Sequence, residues 1–126
     1  MMSQVPNDLR YTKDHEWARL EGGLAVVGIT DYAQHELGDI VFVQLPEVGS
    51  LAIKGEPFGE IEAVKTVAAL NAPMSGKVAE VNTALADKAD TINTDPYGAG
   101  WIIKIKPSSP TEADDLLTAD AYKELL

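Results

Sequence analysis

Apolar positions through the first two-thirds of the chain come in short runs separated by polar gaps, and none holds a helical period for long. Glu16 to Leu20 and Leu24 to Ile29 are two such runs, joined by Glu21-Gly22-Gly23. Paired glycines supply the positive φ of a tight turn, so the two read as a β-hairpin. Ile40 to Leu45 is rich in β-branched and aromatic residues, stops at Pro46 and turns through Gly49. Further strands are expected over Phe58 to Val64, Val67 to Asn71, Lys77 to Asn82 and Trp101 to Lys106. In the last of these a period of two places Trp101, Ile103 and Ile105 on one face, with Lys104 and Lys106 on the other.

Helical signals are few. Between Gly28 and Gly38 lies Thr30 to Leu37, with Thr30 as a candidate cap of a short helix. Leu85 to Asn93 is polar, lacks a period and reads as a loop. Pro107-Ser108-Ser109-Pro110 cannot continue a strand. Thr111 to Asp114 then reads as a helix start, its early acids favourable to the helix dipole, and Thr118 to Leu126 as a second short helix. Many short strands divided by turns predict a mainly β sandwich or barrel, with the C-terminal helices packed outside. One domain is expected over 1–126, with a core at about 10–106 and a helical tail at about 110–126.

Composition narrows the function. A 126-residue chain that is 45% hydrophobic can build a core without staples. Cysteine is absent, which removes disulfides and thiol nucleophiles. The net charge of −10 argues against nucleic acid and anionic membrane surfaces. It favours a soluble monomer steered toward basic partners. Met1 to Arg10 has no apolar core segment, so no signal peptide is expected, and Ile40-Val41-Phe42-Val43 is far too short to span a bilayer. His15-Glu16 and His35-Glu36 do not fit a helical metal-ligand pair, and no Gly-x-Ser-x-Gly elbow exists to support a hydrolase.

Lys65 stands out. It lies at or near the apex of the hairpin Glu60–Val64 / Thr66–Leu70. A carrier of an acyl-linked prosthetic group needs an exposed amine on a rigid support. Lysine suits the task, because its cationic amine becomes a stable neutral amide once acylated, on a flexible stem of four methylenes. On the hairpin alone, an ordinary solvated turn lysine remains the other reading.

The segment Glu62-Ala63-Val64-Lys65 resembles the Glu-Ser-Val-Lys attachment site of the glycine cleavage system H proteins. Asn71-Ala72-Pro73-Met74-Ser75-Gly76-Lys77-Val78 resembles their Ala-Pro-x-Ser-Gly-x-Val segment. Tyr11 to Trp17 is similar to the family's opening His-Glu-Trp block, Gly28 to Gln34 and Leu37 to Val43 to the next two, and Asn93 to Trp101 to its Pro-Tyr-Gly-x-Gly-Trp turn. The blocks follow in order across nearly the whole chain. Related biotinyl domains place methionines on both sides of the lysine, where Val64 and Thr66 stand here. Lipoyl domains of the 2-oxoacid dehydrogenases carry Asp-Lys-Ala and lack the His-Glu-Trp opening.

The resemblance implies a biotinyl/lipoyl-like β sandwich, a barrel-sandwich hybrid with the lysine at a hairpin tip. It implies lipoate in amide linkage to Lys65, with Glu62 and Val64 in the attachment motif. The partners implied are glycine decarboxylase (P protein), an aminomethyltransferase (T protein) and lipoamide dehydrogenase (L protein), plus a lipoate ligase or lipoyl/octanoyl transferase. The chain would be a non-catalytic carrier, cytoplasmic in a bacterium or in the mitochondrial matrix as a mature eukaryotic form. Because the aminomethyl-loaded arm is labile to water, it is expected to fold into a cleft, its ammonium paired with a carboxylate. Glu16 is the first choice by its place in the motif and Asp14 the second. His15 is expected to pack or hydrogen-bond, and Trp17 and Trp101 to belong to the core.

One departure stands inside the motif. The family carries an acid a few positions after the lysine, and Ala69 occupies that place here. An H-like lipoyl relay serving another pathway, or an interaction module that is never modified, are the alternatives this leaves.

Overall fold

The computed structural model describes residues 3–126, Pro110 by its backbone alone. Met1 and Met2, part of the leading segment read as free of a signal peptide, lie outside the described residues. Among the described residues, nine strands form two sheets. In chain order they are β1 (Arg10–Tyr11), β2 (Glu16–Glu21), β3 (Leu24–Ile29), β4 (Ile40–Gln44), β5 (Leu51–Ala52), β6 (Pro57–Ala63), β7 (Val67–Asn71), β8 (Gly76–Val81) and β9 (Ile103–Pro107). The larger sheet runs β1-β2-β3-β9-β8-β5 and the smaller β4-β6-β7. The pairs between these strands are all antiparallel. The mainly β expectation holds.

Packing explains the sequence pattern. Ala18, Ala25, Val27, Ile29, Ile103 and Ile105 join Ile61, Leu70 and Met74 in the main core. Trp17 and Val26, whose side chains alternate with these, pack instead with Leu9, Tyr11, Ala119 and Tyr122 in a second cluster. The larger sheet is therefore covered on both faces, which is why β3 is apolar along nearly its whole length. Gly28 is needed where it stands. It pairs directly with Trp17, and a Cβ there would lie 2.7 Å from three atoms of the indole.

Helix α1 (Asp31–Leu37) begins as expected. Thr30 is its N-cap, its hydroxyl accepting from the Ala33 N–H, and Gly38 closes it at a φ of 79°. Several expectations need correction. The strand predicted from Trp101 starts at Ile103; Trp101 is half-buried against the second cluster, with the Lys104 ammonium 5.0 Å from its ring centroid. The predicted loop Leu85 to Asn93 holds a 3-10 turn, Thr83–Ala86, that overlaps its start, and the one-turn helix α2 (Thr91–Thr94), anchored by buried Leu85 and Ile92. Helices of four residues are too short to display a period. The helix start at Thr111 is a 3-10 segment, Pro110–Asp115. It ends because Leu117 exchanges backbone hydrogen bonds with Tyr11. The final helix is α3 (Ala119–Lys123), capped by Thr118. Strands β1 and β5, two residues each, were not anticipated.

No helix among the described residues is long and apolar enough to cross a membrane. No group of three or more His, Cys, Asp or Glu side chains among them is placed to hold a metal ion.

Candidate functional site

The hairpin β6–β7 closes through the Ala63 N–H, which donates to the Thr66 carbonyl at 2.8 Å. Val64 and Lys65 are the two residues at its tip, and both are exposed. The strand predicted to run to Val64 thus ends one residue earlier, at Ala63. The tip is tied to the rest of the fold by the Val64 N–H, which donates to the Asp39 carbonyl at 3.0 Å. Lys65 folds its stem back over the end of α1: a Cβ added to Gly38 would sit 3.5 Å from the Lys65 Cε. Glu62 is exposed beside it, facing Phe42 on one flanking strand and Val67 on the other.

Next to the hairpin lies a cleft of about 320 Å³ between α1 and the edge strand β7. Ile29, Ile61 and Leu70 are apolar parts of its lining, Ala33 and Leu37 come from α1, and Ala68 and Ala69 from β7. Asp14, His15 and Glu16 contribute from the start of β2. Alternation along β2 explains Glu16: it faces the same way as Ala18, toward the smaller sheet.

Glu16 is not the solvated strand carboxylate that an isolated reading allows; it is only 3% exposed. Its Oε1 accepts from the Thr12 hydroxyl at 2.7 Å. Burial pushes its carboxyl up from the ordinary 4.5 to about 7; hydrogen bonds from Thr12 and from the Asn71 backbone pull down, and the charge of Asp14 pushes further up. Asp14 is exposed and accepts a long hydrogen bond, 3.4 Å, from the Asn71 side-chain amide. Thr12 was missed by the sequence reading. Its hydroxyl oxygen also accepts from the N–H groups of Asp14 and Glu16, so it shapes the turn that presents both carboxylates. The available signal was a threonine four residues ahead of a strand-opening acid, which is a weak one.

His15 is held rather than free. It is the one non-glycine residue at positive φ, 70°, among the described residues. Its Nδ1 is 2.7 Å from the Tyr122 hydroxyl, which is also 2.7 Å from the Thr30 hydroxyl. Burial lowers the His15 pKa, against the pull of Asp14 and Glu36. Burial also pushes the Tyr122 hydroxyl up to about 12. The ring of His15 rests against Tyr32, centroids 4.8 Å apart. His15 thus packs and hydrogen-bonds, as expected. Trp17 is fully buried, its indole N–H donating to the Pro96 carbonyl at 3.0 Å.

Sequence comparison decides the family. The family model described as Glycine cleavage H-protein matches residues 9–126. The chain belongs to this family. A glycine cleavage system H protein of Myxococcus xanthus is 52% identical over 126 residues, covering all of this chain and 98% of the relative. One from Anaeromyxobacter sp. strain K is 56% identical, covering 95% and 94%. A crystal structure of a glycine cleavage system H protein from Mycobacterium marinum superposes with a TM-score of 0.87 at 50% identity, over 95% of this chain and 97% of that one. As an H protein, this chain has the role of a lipoyl carrier. Of the residues singled out in sequence, Glu16 and Asp14 both line the cleft, while Lys65 and Val64 at the hairpin tip and Glu62 on β6 do not. Ala69, where the resemblance predicts an acid, does line it.

Proposed function

We propose that Lys65 carries lipoate in amide linkage and that this chain shuttles the aminomethyl group of glycine from glycine decarboxylase to the aminomethyltransferase, with lipoamide dehydrogenase restoring the oxidised arm. The lipoyl group supplies a disulfide that is reduced as it takes up the aminomethyl unit. This chain supplies place and shelter. The single observation behind the reading is an exposed lysine at a tethered hairpin tip beside a cleft lined in part by a buried carboxylate. The apolar lining suits the hydrocarbon of an arm and excludes water from it. Glu16, with Asp14 beside it, pairs with the cargo ammonium, and arrival of that cation favours the ionised carboxylate that burial disfavours. Glu62 and Val64 present the lysine to the lipoate ligase or lipoyl/octanoyl transferase. We further infer one carrier domain over 1–126, acting as a non-catalytic subunit in the cytoplasm.

Intact mass and peptide mapping after incubation with lipoate and its ligase test this. One lipoyl group is expected on Lys65 and none in Lys65→Arg. Absence of modification, with the ligase active on a control protein, overturns the reading.

Ala69 supports a second reading. Without an acid at that position, the cleft has one fewer carboxylate to hold cargo, and a lipoyl relay would not need it. Glycine–bicarbonate carboxyl exchange with glycine decarboxylase separates the two: the carrier of glycine cleavage supports exchange and a relay does not.

A further inference from the structure

The first residue of the turn Asn93 to Trp101 reaches the segment tied to the hairpin that carries Lys65. The Asn93 side chain makes three hydrogen bonds, both of its N–H donors included, to one short stretch of chain. Its Oδ1 accepts from the Ile40 N–H at 2.9 Å. Its Nδ2 donates to the Gly38 carbonyl at 2.9 Å and to the Gln34 Oε1 at 3.0 Å. A donor on one side and two acceptors on the other leave a single amide orientation that satisfies all three. Asn93 therefore clamps the end of α1 and both flanks of Asp39. The Asp39 carbonyl in turn holds the Val64 N–H, one residue before the lysine, and Gly38 lies under the Lys65 stem. Leu37, one residue further back, lines the cleft.

We propose that Asn93 is a positioning residue for the arm on Lys65: by fixing residues 38–40 it sets where the arm leaves the hairpin relative to the cleft. The proposal rests on the lipoyl-carrier reading of Lys65. Its logic is geometric. An arm that must fold back into a cleft needs its anchor at a fixed offset from the cleft mouth, and supporting hydrogen bonds hold such offsets. Asn93 hydrogen-bonds to neither a cleft-lining residue nor the lysine, so its effect passes through Gln34 and the Gly38–Ile40 segment.

Asn93→Asp tests the proposal. It keeps the side-chain shape and the oxygen facing Ile40, but sets a second oxygen against the carbonyl of Gly38 and the Oε1 of Gln34. Amide hydrogen exchange on the unlipoylated protein reads the tether. The Val64 N–H is expected to exchange about tenfold faster, the factor carried by about 1.4 kcal/mol of lost hydrogen bonding. The Ala63 N–H, bonded inside the hairpin, keeps its wild-type rate. On lipoylated protein loaded by glycine decarboxylase, ammonia release without the aminomethyltransferase is expected to quicken. An unchanged Val64 rate, or Val64 and Ala63 rising together, overturns the proposal, as does unchanged ammonia release. If the aspartate variant does not fold, Asn93→Ser removes the same amide without a charge and is measured the same way. Failure of the wild type to accept lipoate would instead sink the carrier reading, and the exchange result on unlipoylated protein would still decide whether the tether exists.

Discussion

Replacing Glu16 by glutamine should make the protein more stable at alkaline pH and hardly alter it in mild acid. The Glu16 carboxyl titrates at about 7 in the fold against an ordinary 4.5. That gap is worth about 3 kcal/mol, at about 1.4 kcal/mol for each pH unit. A carboxyl whose folded pKa is raised keeps its proton in the native state after the unfolded chain has released it. Native stability therefore falls as pH rises from near 4.5 to near 7 and stays reduced above that. Glutamine cannot ionise and escapes this cost. It gives up about 1 kcal/mol, because its amide nitrogen accepts no hydrogen bond and so leaves one of the two donors, the Thr12 hydroxyl or the Asn71 N–H, without its partner. The net expectation at pH 8 is a gain of about 2 kcal/mol, or about 8 °C in melting temperature for a chain of this size. At pH 5 the two proteins should differ by less than about 1 kcal/mol, since little of the cost has developed there. Thermal or urea denaturation of both proteins at the two pH values measures this directly. A stability difference that does not change with pH would mean that Glu16 ionises normally, and the argument from burial would fall. The variant should also hold an ammonium-bearing arm less well, so that stability and function move in opposite directions.

Two other perturbations test the packing. Gly28→Ala drives a methyl into the Trp17 indole, which cannot step aside because its N–H is fixed to Pro96; a loss of about 1–3 kcal/mol in urea denaturation is expected, and an unchanged midpoint would refute the close approach. Tyr122→Phe leaves His15 Nδ1 and the Thr30 hydroxyl without their shared partner. It should cost about 1–3 kcal/mol in thermal denaturation, and a variant as stable as the wild type would show that the hydroxyl is idle.

Much of this was legible because it is local. Gly22-Gly23, the Thr30 cap and the lysine between two strand-forming runs each announce themselves within a few residues. The burial of Glu16 was not legible. An acid opening a strand looks solvated until the smaller sheet is placed over that face, and nothing near Glu16 encodes the arrival of Leu70 or Ile61. The same holds for Trp101. Alternation placed it on one face with Ile103 and Ile105, but the strand begins later and the residue packs against the second cluster, apart from them. Strands β1 and β5 carry too few residues for any pattern, and they exist because longer neighbours offer them an edge. The reach of Asn93 to Gly38 and Ile40 joins positions more than fifty residues apart, which no local rule supplies.

The placement of β9 has a consequence for how the molecule assembles. It lies between β3 and β8, with Ile105 opposite both Ala25 and Val78. Without it the larger sheet falls into two unconnected parts. Local hairpins such as β2–β3 and β6–β7 can form as soon as their turns close, on the microsecond scale of such elements. Docking β9 on β3 requires closing a loop of most of the chain, an entropic cost met before any of its contacts are made. Folding should therefore be limited by capture of this strand and be slow for the protein's size, as in other sheets dominated by distant pairings. The lysine-bearing hairpin would then take shape early, and the larger sheet that positions Glu16 beside it would be completed last.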